Sequence, residues 1–135
     1  MTRLSKMAPA VALAGLLLAG CGVPHVQTVR NAKDSLIGQD AAVLASCIGE
    51  PMAVRTHPER PARIEVYSSA QVRAGDGTLL ATPRPDPAAQ EKACVFNVTV
   101  NDDGRITAVD SDNRAGWGGG SIKACSAVVR RCVEG

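Results

Sequence analysis

The sequence predicts an α+β domain: N-terminal helices and a disulfide-pinned C-terminal helix packed on a small antiparallel sheet of about three strands. Three observations carry this. Residues 93–101 alternate, with Cys94, Phe96, Val98 and Val100 on one face, the period of a strand. Asp40–Ile48 and Ser121–Val133 hold apolar residues at helical spacing. Four cysteines, Cys47, Cys94, Cys125 and Cys132, are shared between those helices and that strand.

The first residues are read as an address rather than as part of the fold. Arg3 and Lys6 form a short basic start, which holds that end on the cytoplasmic side. Residues 8–19 are an apolar run, shorter than the ~20 residues a spanning helix needs. Such a run fits the centre of a secretion signal. Leu18-Ala19-Gly20-Cys21 follows, with Leu at −3, small residues at −2 and −1, and a thiol at +1. These four residues resemble the lipobox of bacterial lipoproteins. The resemblance implies a diacylglyceryl group on the Cys21 thiol, cleavage before Cys21 and acylation of the new amine. Small residues beside the cut let a peptidase reach the backbone. Gly22 replaces the Asp that resembles an inner-membrane retention signal, which favours the periplasmic face of the outer membrane. The expected organisation is a signal at 1–20, a lipidated tether at 21–28 and a single periplasmic domain at 29–135.

The chain has 135 residues, so 115 remain after the signal, enough for one domain. Arg3 and Lys6 leave with the signal. Thirteen of the 15 basic residues then face 13 acidic ones, and the net charge is zero. Tyr67, Phe96 and Trp117 are the only aromatics. A neutral chain with three scattered aromatics argues against nucleic-acid binding. A core made mostly of Ala and Val is light for this size, and exported domains of that kind use covalent staples.

Setting Cys21 aside leaves an even number of cysteines, which predicts two disulfides. One of three pairings is disfavoured by geometry. Seven residues of helix separate Cys125 from Cys132 by ~10.5 Å, whereas a disulfide needs Cα atoms within ~7 Å. Each should therefore bond elsewhere, one to Cys47 and one to Cys94; the sequence does not say which. A zinc site would show closer ligand pairs, and His25 and His57 lie in unrelated segments. No metal, cofactor or small-molecule substrate is expected.

Along the mature chain, residues 29–37 form a short helix ended by Gly38. Asp40 caps a second helix with Ala41, Leu44, Ala45 and Ile48 on one face; Gly49 and Pro51 stop it. Residues 63–69 alternate as a half-buried strand, Ile64 and Val66 opposite Glu65 and Tyr67. Residues 74–92, with Pro83, Pro85 and Pro87, read as a long exposed loop containing a short strand at 78–81. Asp102-Asp103-Gly104 is a hairpin turn signal. Residues 105–110 return as the partner strand, with Ile106 and Val109 the apolar contacts. Asn97-Val98-Thr99 matches a glycosylation sequon, which a strand and a bacterial signal make coincidental. Residues 115–120 form a Gly-rich loop around Trp117, without the spacing of a phosphate-binding loop. Ser121 caps the last helix, whose stripe is Ile122, Cys125, Val128, Val129 and Cys132. Arg130 and Arg131 sit in its last turns, where positive charge suits the helix dipole.

The runs Leu36-Ile37-Gly38-Gln39-Asp40, Cys47-Ile48-Gly49-Glu50-Pro51, Cys94-Val95-Phe96 and Asp103-Gly104-Arg105-Ile106, with Leu44 and Tyr67, resemble the SmpA/OmlA (BamE-like) group of small outer-membrane lipoproteins. The resemblance spans about residues 30–134. It is closer still to small alphaproteobacterial lipoproteins with a Cys before the Gly-x-Pro and a final C-x6-C helix. The C-terminal cysteine helix and the Pro-rich loop depart from the BamE pattern. The resemblance implies two helices on a small antiparallel sheet. It also implies a non-enzymatic, lipid-anchored envelope protein acting through an envelope protein partner, structurally or in outer-membrane assembly. The alternative is a secreted-type inhibitor or binding module, since β-lactamase inhibitory proteins look like a duplicated version of this small fold. No nucleophile, base and oxyanion set is legible, so no enzyme is expected.

Overall fold

The structure, a computed structural model, describes residues 23–116 and 119–134. The fold is α+β. Helix α1 (Val23–Leu36) and short helix α2 (Val43–Cys47) precede strands β1 (Ala53–Thr56) and β2 (Ala62–Ser68). Short helix α3 (Pro87–Glu91) leads to strands β3 (Cys94–Asn101) and β4 (Ile106–Asn113), and the chain ends in α4 (Gly119–Val129) and α5 (Arg131–Glu134). The strands form one antiparallel sheet in the order β1-β2-β3-β4. Each strand pairs with its neighbour in sequence, so every sheet connection is local.

The alternation in β3 decides where the core lies. Cys94, Phe96, Val98 and Val100 are all fully buried, facing the helices. Across β3, Phe96 pairs with Tyr67 and Val98 with Val109. Ile106 and Val109 are three residues apart and should face opposite sides of a regular strand. A register shift between Thr99 and Val100 resolves this: Val100 pairs with Ile106, Thr99 with Ala108, and Thr107 is the extra residue. Both apolar side chains thereby enter the same core. Val29, Ala32 and Leu36 form the buried stripe of α1, which packs on α4, α5 and β4.

The segment after α1 runs along the open edge of β4. Gly38 N–H donates to the Ile106 carbonyl at 2.8 Å, Ile106 N–H to the Gln39 carbonyl at 2.9 Å, and Ala41 N–H to the Gly104 carbonyl at 2.8 Å. An edge with unpaired amides would invite foreign strands, and this segment covers part of it.

Several expectations are corrected. The tether assigned to 21–28 is helical from Val23, within α1. Pro24 stands in the first turn, where its missing N–H costs nothing, so it is a start signal rather than a breaker. Asp40 does not cap α2. Its carboxylate accepts from Ala42 N–H at 2.9 Å in a turn, and α2 begins later, at Val43. Ile64 and Val66 do not face the main core. They join Ala93 and Val95 in a smaller cluster on the opposite face, and Tyr67 enters the main core instead. The sheet has four strands, in line with the about three expected; the addition is the edge strand Ala53–Thr56 beside β2.

The loop at 74–92 is not wholly exposed. Leu79 is fully buried, and α3 is capped by Asp86, whose carboxylate accepts from Ala89 N–H at 3.0 Å. Thr78–Ala81 makes isolated bridges through Leu79 to Gly49 and Arg73 rather than a strand. The final helix breaks at Arg130 into α4 and α5, and α4 starts at Gly119, inside the expected Gly-rich loop. Cys21, Trp117 and the capping side chain of Ser121 lie outside the described residues.

Gly49 fixes the path of the Leu79 segment. Leu79 N–H donates to the Ile48 carbonyl at 2.8 Å, and Glu50 N–H to the Leu79 carbonyl at 2.9 Å. A buried glutamine holds the same segment from the other side. Gln71 donates to the Glu50 and Leu80 carbonyls at 2.9 and 3.0 Å and accepts from Ser68 N–H at 2.7 Å. Its amide is thus paired at both ends inside the fold.

Candidate functional site

Cys47, Cys94, Cys125 and Cys132 form two bonds, Cys47–Cys132 and Cys94–Cys125. Each C-terminal cysteine bonds elsewhere, as the helical spacing requires, and the structure supplies the choice. Cys94 opens the buried face of β3, and Cys125 lies on the buried stripe of α4. Their bond ties the C-terminal helix to the sheet. Cys47 ends α2, and Cys132 lies in α5, so the second bond closes the helical layer on itself. Cys94 and Cys125 are fully buried, whereas Cys132 is half-buried beside an open groove of about 730 Å³.

Two of the stretches that carry the resemblance meet in space, and a third closes on Leu79. Gly38-Gln39-Asp40 hydrogen-bonds to Gly104-Arg105-Ile106, and Ile48-Gly49-Glu50 brackets Leu79. These residues set chain direction and close approach.

One polar cluster lies on the helix-facing side of β2. Tyr67 is buried and its hydroxyl donates to Glu65 Oε1 at 2.8 Å, while Arg63 Nε pairs with Glu65 Oε2 at 3.0 Å. Burial, then the Glu65 carboxylate, push the Tyr67 phenol far above its ordinary range. A phenol held neutral is a hydrogen-bond donor and not a proton source near pH 7. Both oxygens of Glu65 are occupied by neighbours, which suits a fixed structural carboxylate.

The histidines stand apart. His57 lies beyond β1, and its Nδ1 accepts from Glu59 N–H at 3.1 Å. His25 is in the first turns of α1. Among the described residues no group of three or more His, Cys, Asp or Glu is placed to hold a metal ion. No described helix is long and apolar enough to cross a membrane.

No family model, curated protein or solved structure matches the chain. The site must therefore be read from its own chemistry.

Two surface features were not legible in the sequence. Val72 and Leu80 are exposed side by side, joined by the Leu80 N–H to Val72 carbonyl bond at 2.7 Å. Arg73 joins Arg130 and Arg131 at one cleft, although more than fifty positions separate them in the chain. Only the turn at Ala74–Thr78, folded back over α4, brings them together. Gly75-Asp76-Gly77 is a turn signal in the sequence, but nothing local says which helix end it meets.

Proposed function

We propose that this protein is a lipid-anchored lipoprotein of the bacterial cell envelope, tethered through Cys21 at the periplasmic face of the outer membrane. It acts without catalysis, through contacts with an envelope protein partner. The observation that carries the reading is the junction of signal and fold. A basic start, a short apolar run and Leu-Ala-Gly-Cys end at Cys21, and helix α1 begins at Val23. Two residues of chain span at most about 7 Å, so the folded body starts at the anchor with almost no spacer.

Two further features support it. Both disulfides suit an oxidising compartment outside the cytoplasm. The resemblance to SmpA/OmlA (BamE-like) lipoproteins gives the partner class, an envelope protein, with outer-membrane assembly as the process. Acyl chains on Cys21 would hold the domain firmly, since each buried methylene adds ~0.8 kcal/mol.

The partner is tested by affinity recovery of the lipidated protein from detergent-solubilised envelopes. Reproducible recovery of β-barrel assembly components supports the accessory role; recovery of none of them rejects that role.

A further inference from the structure

Arg73, Arg130 and Arg131 line one cleft of about 190 Å³ where the turn at Ala74–Thr78 meets the C-terminal end of α4. Among the described residues, Asp76 is the only carboxylate that lines it. Arg131 approaches Asp76 at 3.9 Å, and among the described residues Arg73 and Arg130 form no ion pair. Three cations against one anion leave two positive charges in a small space. The carbonyl end of α4 offsets part of this charge, and a bound anion would offset the rest.

Arg73 is braced, and Arg131 lies beside the same glycine. Arg73 Nη1 donates to the Gly77 carbonyl at 3.0 Å, and a Cβ on Gly77 would sit 3.6 Å from Arg131 Nη2. The two guanidinium groups therefore flank one glycine. The turn beneath them is tight. Gly77 N–H donates to the Ala74 carbonyl at 3.0 Å, and Ala74 N–H to the Thr78 carbonyl at 2.8 Å. Asp76 is turned toward Thr78, accepting from its backbone N–H at 2.9 Å and its hydroxyl at 2.6 Å. Part of its charge is thus engaged locally. Partial burial and the nearby positive Arg130 also hold the Arg73 guanidinium below its ordinary pKa.

We infer that this cleft is a binding site for a doubly charged oxyanion, a phosphate or phosphomonoester, held by Arg73, Arg130 and Arg131. The guanidinium fork matches two oxygens of a phosphate, and a net charge of two selects a dianion over a single carboxylate. Gly77 keeps the floor of the cleft free of a side chain.

The site does not depend on the lipid anchor, but its direction does, and there the inference rests on the proposed function. Val26 and Val29, in the N-terminal half of α1, lie by Ile122 at the start of α4. Ser35, at the other end of α1, lies by Arg131 and Cys132. A 14-residue helix is about 21 Å long, so the arginines stand that far from the Cys21 end. An anchored molecule can hold them up to that distance from its own membrane, within reach of a soluble ligand.

The test is an NMR titration of the full mature chain, purified in mild detergent, with inorganic phosphate at low ionic strength. Saturable shifts of the Gly77 and Arg73 amides are expected. The variant Arg73→Gln/Arg130→Gln should weaken binding at least about tenfold, because charged hydrogen bonds are lost. Lys123→Gln, an exposed α4 change outside the cleft, should leave it unchanged. Both arginines are exposed, so the double variant should keep its fold, and its spectrum reports this directly. Shifts that do not saturate, or saturable binding that survives in the double variant, overturn the site. Glycerol 3-phosphate separates the sources: tighter binding than inorganic phosphate assigns a headgroup-type phosphomonoester, and equal or weaker binding assigns free phosphate.

Discussion

A Cβ on Gly49 would lie 2.3 Å from the Leu79 carbonyl oxygen and 2.5 Å from its backbone nitrogen. Gly49 also has φ +125°, where side chains are disfavoured. The contact is backbone against backbone, so nothing flexible can yield. Gly49→Ala should destabilise the protein by roughly 3 kcal/mol, combining overpacking and backbone strain. Gly38 has φ +89° but open space around it, so Gly38→Ala should cost only about 1 kcal/mol. Urea unfolding of the two variants checks the difference; equal costs would remove the close approach from the account.

The two disulfides should not be equivalent. Closure entropy alone gives ~3.7 kcal/mol for the 31-residue separation and ~4.6 kcal/mol for the 85-residue one. Burial reverses the order. Cys94 and Cys125 are the more deeply buried pair, with Cys47 at the core's edge and Cys132 half-buried, so removing their sulfurs leaves the larger cavity, which costs a further ~1–2 kcal/mol. The Cys94→Ala/Cys125→Ala protein should therefore be at least as unstable as Cys47→Ala/Cys132→Ala. With a mild reductant, Cys47–Cys132 should open first, read by alkylation and mass spectrometry. Before reduction none of the four thiols should react.

Tyr67 predicts an alkaline limit. Its folded pKa is raised, so the neutral phenol stabilises the fold, fully so below the ordinary phenol value near 10. Above pH ~10 the unfolded chain ionises and the folded one does not, so stability falls with rising pH. Tyr67→Phe should cost about 1 kcal/mol at pH 7 through the lost bond to Glu65, and should flatten the fall above pH 10. Thermal unfolding between pH 8 and 11 checks both.

Gln71 is the polar counterpart of Leu79. Its amide makes three hydrogen bonds to backbone groups, and it is buried. Gln71→Ala should cost ~2–3 kcal/mol by leaving buried partners unpaired. Hydrogen exchange should then speed up at Ser68, whose N–H loses its acceptor.

The elements with a strong period were legible in the sequence. Cys94, Phe96, Val98 and Val100 declared β3, Asp103-Gly104 the hairpin, and Cys125, Val128 and Val129 the last helix. The distance argument also separated Cys125 from Cys132, although the helix between them breaks at Arg130. What failed was set by long-range contact. Ala53–Thr56 is a four-residue strand whose last three residues are exposed, so it has no apolar pattern to read. Leu79 is buried only because Gly49 admits its backbone. Tyr67 faces the core because β3 places Phe96 beside it, while Ile64 and Val66 meet the smaller cluster at Ala93. The arginine cleft joins residues on two separate segments, and no local spacing encodes it.

The central claim is that Cys21 is the lipidated first residue of the mature protein, one short step before α1. The most direct measurement is the mass of the N-terminal peptide of the protein purified from membranes of a Gram-negative bacterial host. The account predicts a chain beginning at Cys21 with a diacylglyceryl group on its thiol, and no such species from Cys21→Ser. A mature chain cut elsewhere, or one that begins at Cys21 with a free thiol, would contradict it.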